Sequence, residues 1–172
     1  MITNDQSTNT DATMDITSNN DLIDIIRRLL DTNPIGQEYG MTALIWAARK
    51  GHVDIVRLLL GTVDCICVNA ANDYGHTALI YASQLGHDEI VRLMLADQGT
   101  DVNFVDNETR TALIWASENG RDVCLKQLIS MANIDLNITD YKGMTALDYA
   151  YQNGHTECAK LLIAMEETDC NV

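Results

Sequence analysis

Four histidines, five cysteines and a surplus of carboxylates are the residues through which this chain could do chemistry. Cys65 and Cys67 form a C-x-C pair rather than the C-x-x-C of a zinc knuckle or redox couple. His52, His87 and His155 each follow a glycine at equivalent places in a repeating pattern. Neighbouring helices pack about 8–10 Å apart, whereas zinc holds its nitrogen ligands at about 2 Å. Such histidines therefore read as structural turn residues. Cys124 and Cys158 lie at matching points of two units. A disulfide needs Cα atoms within about 7 Å, so both are expected as unpaired core thiols. The carboxylates are scattered one or two per unit, without calcium-loop spacing, and no glycine-rich phosphate cradle occurs. An enzyme needs converging acid, base, nucleophile or metal groups. The chain is thus expected to be non-catalytic, with no cofactor and no metal.

Charge narrows the partners. Among 172 residues, 25 Asp and Glu oppose 11 Lys and Arg, for a net charge of −14. Nucleic acid and anionic membrane surfaces both select clustered cations, so neither is an expected partner. No apolar run approaches the ~20 residues that span a bilayer. Residues 1–18 are polar and acidic, unlike a secretory signal. The expected protein is a soluble intracellular monomer, cytoplasmic, with the nucleus or a host-cell cytosol left open. The sequons at Asn107 and Asn137 are then chance.

The elements that position these residues emerge from an internal repeat, the first pattern to seek in any chain. Thr42-Ala43-Leu44-Ile45-Trp46-Ala47 recurs from Thr77, Thr111 and Thr145, at steps of 35, 34 and 34 residues. Nine residues after each Thr stands Gly51, Gly86, Gly120 or Gly154, and an apolar-periodic run such as HVDIVRLLL follows. The spacing predicts a short helix, a glycine turn and a second helix in each unit. Thr is placed to cap the first helix, and the Gly to end it in a left-handed conformation. The second helix carries an apolar stripe at i, i+3 and i+4. Polar stretches such as Asn72-Asp73-Tyr74-Gly75 and Asp140-Tyr141-Lys142-Gly143 read as projecting hairpins between units.

This pattern resembles the ankyrin repeat, marked by T-P-L-H-x-A, a Gly-His turn, a Leu-rich second helix and a closing D-V-N. The resemblance covers residues 37 to about 169 in four units. An incomplete unit precedes them, where Asp24-Ile25-Ile26-Arg27-Arg28-Leu29-Leu30 copies a second-helix run. Pro is replaced by Ala in every unit, the motif His by Ile45, Ile80, Ile114 or Asp148, and Thr109 stands where the family prefers Gly in the hairpin. The surplus residues are expected near 61–67. The resemblance implies an all-α ankyrin solenoid divided as follows: a tail over 1–18, a capping half-repeat over 19–36, and repeats over 37–71, 72–105, 106–139 and 140–172, the last doubling as cap.

Two Trp, six Tyr and one Phe make up the aromatic set. Trp46, Tyr81, Trp115 and Tyr149 each fall four residues after the Thr. On a helix they share a face with residues three and four further on, which include Arg49, Lys50, Gln84, Leu85 and Glu118. All but Leu85 are polar, so this ladder is expected to face solvent. Inter-repeat packing is the competing reading of the same rings. In the ankyrin family, first helices and hairpin tips line a concave partner-binding groove. The resemblance then implies a protein-binding site from Tyr39, Met41, Trp46, Arg49, Lys50, Tyr74, His76, Tyr81, Gln84, Leu85, Glu108, Arg110, Trp115, Glu118, Tyr141, Lys142 and Tyr149. A partner with a basic segment is favoured by the surplus negative charge. Arg57, Arg92, Lys126 and Lys160 recur on the second helices as a solvated outer face. The family also implies Asn103, eight residues after Leu95, as a candidate for asparaginyl hydroxylation. The expected function is a non-catalytic protein–protein interaction module. The alternatives are a stand-alone inhibitor of an enzyme or transcription factor, and a microbial or viral effector acting on a host protein.

Overall fold

A computed structural model describes residues 41–62 and 66–169, apart from the side chains at 62 and 167–169. Within it eight helices follow one another: α1 (Ala43–Lys50), α2 (Val53–Thr62), α3 (Ala78–Leu85), α4 (Asp88–Ala96), α5 (Ala112–Glu118), α6 (Asp122–Ile129), α7 (Ala146–Gln152) and α8 (Thr156–Asp169). The tail and half-repeat expected over 1–36, Tyr39 and Cys65 lie outside the described residues. The odd helices pack side by side as one layer and the even helices as a second, so each unit touches only its neighbours. Helices of seven to ten residues are too short to persist alone in water. Their stability comes from stacking.

Each first helix begins as the sequence requires. Thr42, Thr77, Thr111 and Thr145 are extended, and their hydroxyls accept the N–H of the residue three further on, at 3.2, 3.3, 3.2 and 3.2 Å. Such a cap contributes about 1 kcal/mol. The last unit adds a reciprocal bond, because Asp148 accepts the Thr145 N–H at 2.8 Å. Asp thus serves this unit where the family motif has His.

The turn glycines are needed for conformation and for space. Gly86 (φ +78°) caps α3 in the left-handed region, where a side chain costs about 1–2 kcal/mol. A Cβ there would also meet Arg121 Cδ of the next unit at 2.9 Å. Arg121 Nε donates to Gln84 O at 3.2 Å, and His155 Nε2 lies 3.1 Å from Glu118 O. The turn residue of each later unit therefore meets the open helix end of the unit before it.

Beneath the odd helices the even helices bury Val56, Ile90, Val91, Met94, Cys124, Leu125, Leu128, Cys158 and Leu162. The two thiols are free and buried. Burial pushes both upward, and Cys124 donates to Asp88 Oδ1 at 2.9 Å; neither has thiolate character. Asn69 and Asn103 tie successive units. Asn103 donates to Asn133 O at 2.7 Å and accepts the Asp135 N–H at 3.0 Å. Arg57, Arg92, Lys126 and Lys160 are exposed on the outer layer, where Arg57 and Arg92 both bind Glu89.

Candidate binding surface

The hairpins are held to the first helices by one device used three times. Asn72, Asp106 and Asp140 stand five residues before the capping Thr, and all three are buried. Asn72 Oδ1 accepts the N–H groups of Tyr74 and His76 at 3.0 and 2.9 Å. Asp106 and Asp140 do the same for Glu108 with Arg110, and for Lys142 with Met144. The remaining polar atom of each reaches the ladder ring nine residues on. Asn72 donates to the Tyr81 hydroxyl at 3.0 Å, Trp115 Nε1 donates to Asp106 at 2.8 Å, and the Tyr149 hydroxyl donates to Asp140 at 2.6 Å.

A second residue, immediately before the Thr, reaches forward into this device in the next unit. Met41 Sδ accepts from Asn72 at 3.6 Å. His76 Nε2 lies 3.2 Å from Asp106, with its ring against Tyr81 and Trp115. Arg110 Nη2 donates to the Tyr149 hydroxyl at 2.9 Å, and its Nε lies 3.5 Å from Asp140. The Arg110 guanidinium carbon sits 4.7 Å from the Trp115 ring and 5.1 Å from the Tyr149 ring. The partners match in polarity along the stack: thioether with carboxamide, imidazole with carboxylate, guanidinium with carboxylate. Burial pushes the Asp106 and Asp140 carboxyls upward, but the hydrogen bonds outweigh it and hold both below the ordinary range. Burial and the bond to Asp140 push the Tyr149 hydroxyl up to about 12. Burial opposes the charge on Arg110, and its surrounding acids more than restore it.

This corrects the expectation that the ladder faces solvent. Tyr81 and Tyr149 are 9% and 4% exposed, and Met41 and Arg110 each 6%. Trp46, Trp115 and His76 are half-buried. The cause is the adjacent unit, whose first helix and hairpin cover a face that looks polar when one helix is read alone. Met41, His76, Tyr81, Arg110, Trp115 and Tyr149 join repeats, whereas Trp46 packs against His52 of its own unit, ring centroids 5.3 Å apart. Arg49, Lys50, Tyr74, Leu85, Glu108, Tyr141 and Lys142 are exposed, and Gln84 and Glu118 partly so. Arg49 lies over the Tyr81 ring at 5.5 Å, and Lys142 over Tyr141 at 5.1 Å. A cleft of about 400 Å³ lined by Glu118, Lys142, Met144, Tyr149, Gln152 and Asn153 shows that hairpin tips and first-helix ends share one face. Asn103 is committed through both carboxamide atoms to the next unit.

Sequence reasoning passed over Asn72, Asp106 and Asp140, although their recurrence five residues before the Thr was a usable signal. It also passed over Tyr151, 62% exposed. The equivalent Ala48, Ser83 and Ser117 are fully buried beneath the next unit.

Paired short helices, capped by Thr, broken by left-handed Gly and joined by projecting hairpins, define a stacked all-α repeat protein. The family model for ankyrin repeats, in three copies, matches residues 12–106 and 94–172. The chain belongs to the ankyrin repeat family. Comparison with curated proteins gives no match. Ankyrin repeats are in general protein–protein interaction modules. No helix among the described residues is long and apolar enough to cross a membrane.

Proposed function

We propose that the chain is a non-catalytic module that binds one protein partner across the face built from its hairpin tips and first-helix ends. The observation that carries this reading is the exposure of large apolar side chains there. Tyr74, Leu85 and Tyr141 are 53%, 39% and 63% exposed, set among Arg49, Lys50, Glu108 and Lys142. Aromatic anchors within a polar rim are common binding hot spots. The ladder beneath contributes rigidity, because its rings are bonded inward. The function is positional: the stack occludes or recruits its partner.

The test is affinity capture from source-cell lysate with mass spectrometry, using wild type beside a Tyr74→Ser/Leu85→Ser/Tyr141→Ser variant. These side chains are exposed, so the variant keeps the wild-type fold. A protein captured by wild type and lost from the variant supports the reading. Equal capture by both proteins places binding elsewhere and rejects this face.

A further inference from the structure

We propose that the first-unit end of the binding face receives a carboxylate side chain of the protein partner, held by Arg49 and Lys50, with a neighbouring apolar side chain of the same partner against Leu85. The inference rests on the reading of this face as the binding surface, and adds to it the chemistry of one end.

Arg49 and Lys50 are adjacent in sequence, both are exposed, and neither is paired with a carboxylate among the described residues. Elsewhere the chain pairs its cations: Arg57 and Arg92 reach Glu89 at 3.1 and 2.6 Å, Arg110 reaches Glu118 at 2.9 Å, and Lys160 reaches Glu157 at 2.7 Å. The fold does not require the Arg49–Lys50 pair. Cations in a last turn complement the negative end of the helix dipole, yet α3, α5 and α7 form with no basic residue there. The equivalent places hold Gln84 and Leu85, Glu118 and Asn119, and Gln152 and Asn153. Two unpaired positive charges are therefore particular to the first unit.

The next unit positions Arg49. Its guanidinium carbon lies 5.5 Å from the centre of the Tyr81 ring, and the Tyr81 hydroxyl is fixed by Asn72 at 3.0 Å. A guanidinium lying over a ring keeps its N–H edge for a carboxylate, which accepts two parallel bonds from it. Leu85 stands four residues after Tyr81, one turn or about 5.4 Å along the same face of α3, and is 39% exposed. In an extended segment alternate side chains fall about 7 Å apart on one side. An acidic residue and an apolar residue two further on therefore meet Arg49 and Leu85 together. Residues 41–62 carry Arg49, Lys50 and Arg57 against Asp54 alone, so the acidic surplus of the chain lies outside these two helices. Charges beyond a Debye length, about 10 Å at 0.1 M salt, are largely screened, and the local pair decides the contact.

The test is an amide-resolved NMR titration of the full chain at low salt with acetyl-glutamyl-glycyl-leucine amide, beside the analogues that begin with glutamine and with lysine. The glutamyl peptide is expected to give saturable shifts at residues 49–51 and 84–86. The glutamine analogue should bind about fivefold more weakly, the factor that ~1 kcal/mol represents, and the lysine analogue more weakly still. In an Arg49→Gln/Lys50→Gln protein the glutamyl and glutamine peptides should bind alike. Both side chains are exposed, so the variant keeps the wild-type fold. No saturable shift, or one Kd for the glutamyl and glutamine peptides on wild type, overturns the proposal. So does a variant that still prefers the glutamyl peptide; if the variant loses its spectrum, the wild-type comparison decides alone. A partner that binds this face equally well in wild type and variant overturns the proposal and leaves the reading of the face intact. A partner footprint elsewhere overturns both.

Discussion

Replacing Tyr149 by Phe deletes one oxygen from a buried site and tests the clamp that joins the third and fourth units. The hydroxyl donates to Asp140 at 2.6 Å and accepts from Arg110 at 2.9 Å, and the ring is 4% exposed. A hydrogen bond to a charged group contributes about 1.5–3 kcal/mol. Asp140 keeps its two backbone amides and Arg110 keeps Glu118, so the expected loss is about 2 kcal/mol. For a chain of this size that lowers Tm by about 4–8 °C. Urea unfolding should show a lower midpoint with an unchanged slope. Tyr151→Phe, the same change two residues away in α7 on a ring that is 62% exposed, should stay within about 0.5 kcal/mol of wild type. The pH dependence sharpens the test. Because the folded Tyr149 is raised to about 12 from an ordinary 10, its contribution is complete below pH 10 and is lost as pH rises towards 12. The gap between wild type and Tyr149→Phe should therefore narrow across that window. A loss under 0.5 kcal/mol, or a gap that does not narrow, would refute the clamp.

Three other outcomes follow from the same geometry. Arg110→Met leaves the buried Asp140 without its cation and should cost about 3 kcal/mol, measured by urea unfolding. Adding Asp140→Asn recreates the Met41–Asn72 pairing of the first junction and should restore at least about 1 kcal/mol; strict additivity would contradict this. Asp106 and Asp140 are held below the ordinary carboxyl range, so their contribution is present above about pH 4 and is lost as pH falls below it. An acid midpoint that does not move when Asp140 is replaced by Asn counts against it. Thr109 is a β-branched residue at φ +58° where Gly75 and Gly143 occupy the equivalent turns. Thr109→Gly relieves about 1–2 kcal/mol of strain, loses a 3.3 Å bond to Thr139 O, and makes the unfolded chain more flexible. The net is a gain of up to about 1 kcal/mol, and a lower urea midpoint would show that the strain is not there.

The parts of the fold that were legible in the sequence are those that depend on neighbours within a few residues. A Thr caps the helix that follows it, a Gly takes the left-handed turn nine residues on, and an apolar stripe faces the second layer. The ladder was not legible in this way. Whether Tyr81 or Tyr149 meets water depends on the unit packed over it, about 34 residues away. The i+3 and i+4 neighbours of one helix do not record that. Asn72, Asp106 and Asp140 carried the missing signal, since an Asx recurring five residues before the capping Thr in three of the four units serves both the turn and the ring. The candidate surface divides accordingly. Residues at tips and helix ends stayed exposed, whereas Met41, His76 and Arg110, immediately before each helix, turned forward into the next repeat. Substituting Trp115 would therefore report on stability before it reported on binding.

A protein partner seated on the face of hairpin tips and first-helix ends would shield the backbone amides there. The most direct measurement is amide hydrogen exchange of the chain with and without its purified partner. Protection is expected to concentrate at residues 73–76, 84–86, 107–109, 118–119 and 141–143, with the outer helices α4 and α6 unchanged. Protection centred on α4 and α6, with those segments unaffected, would contradict it.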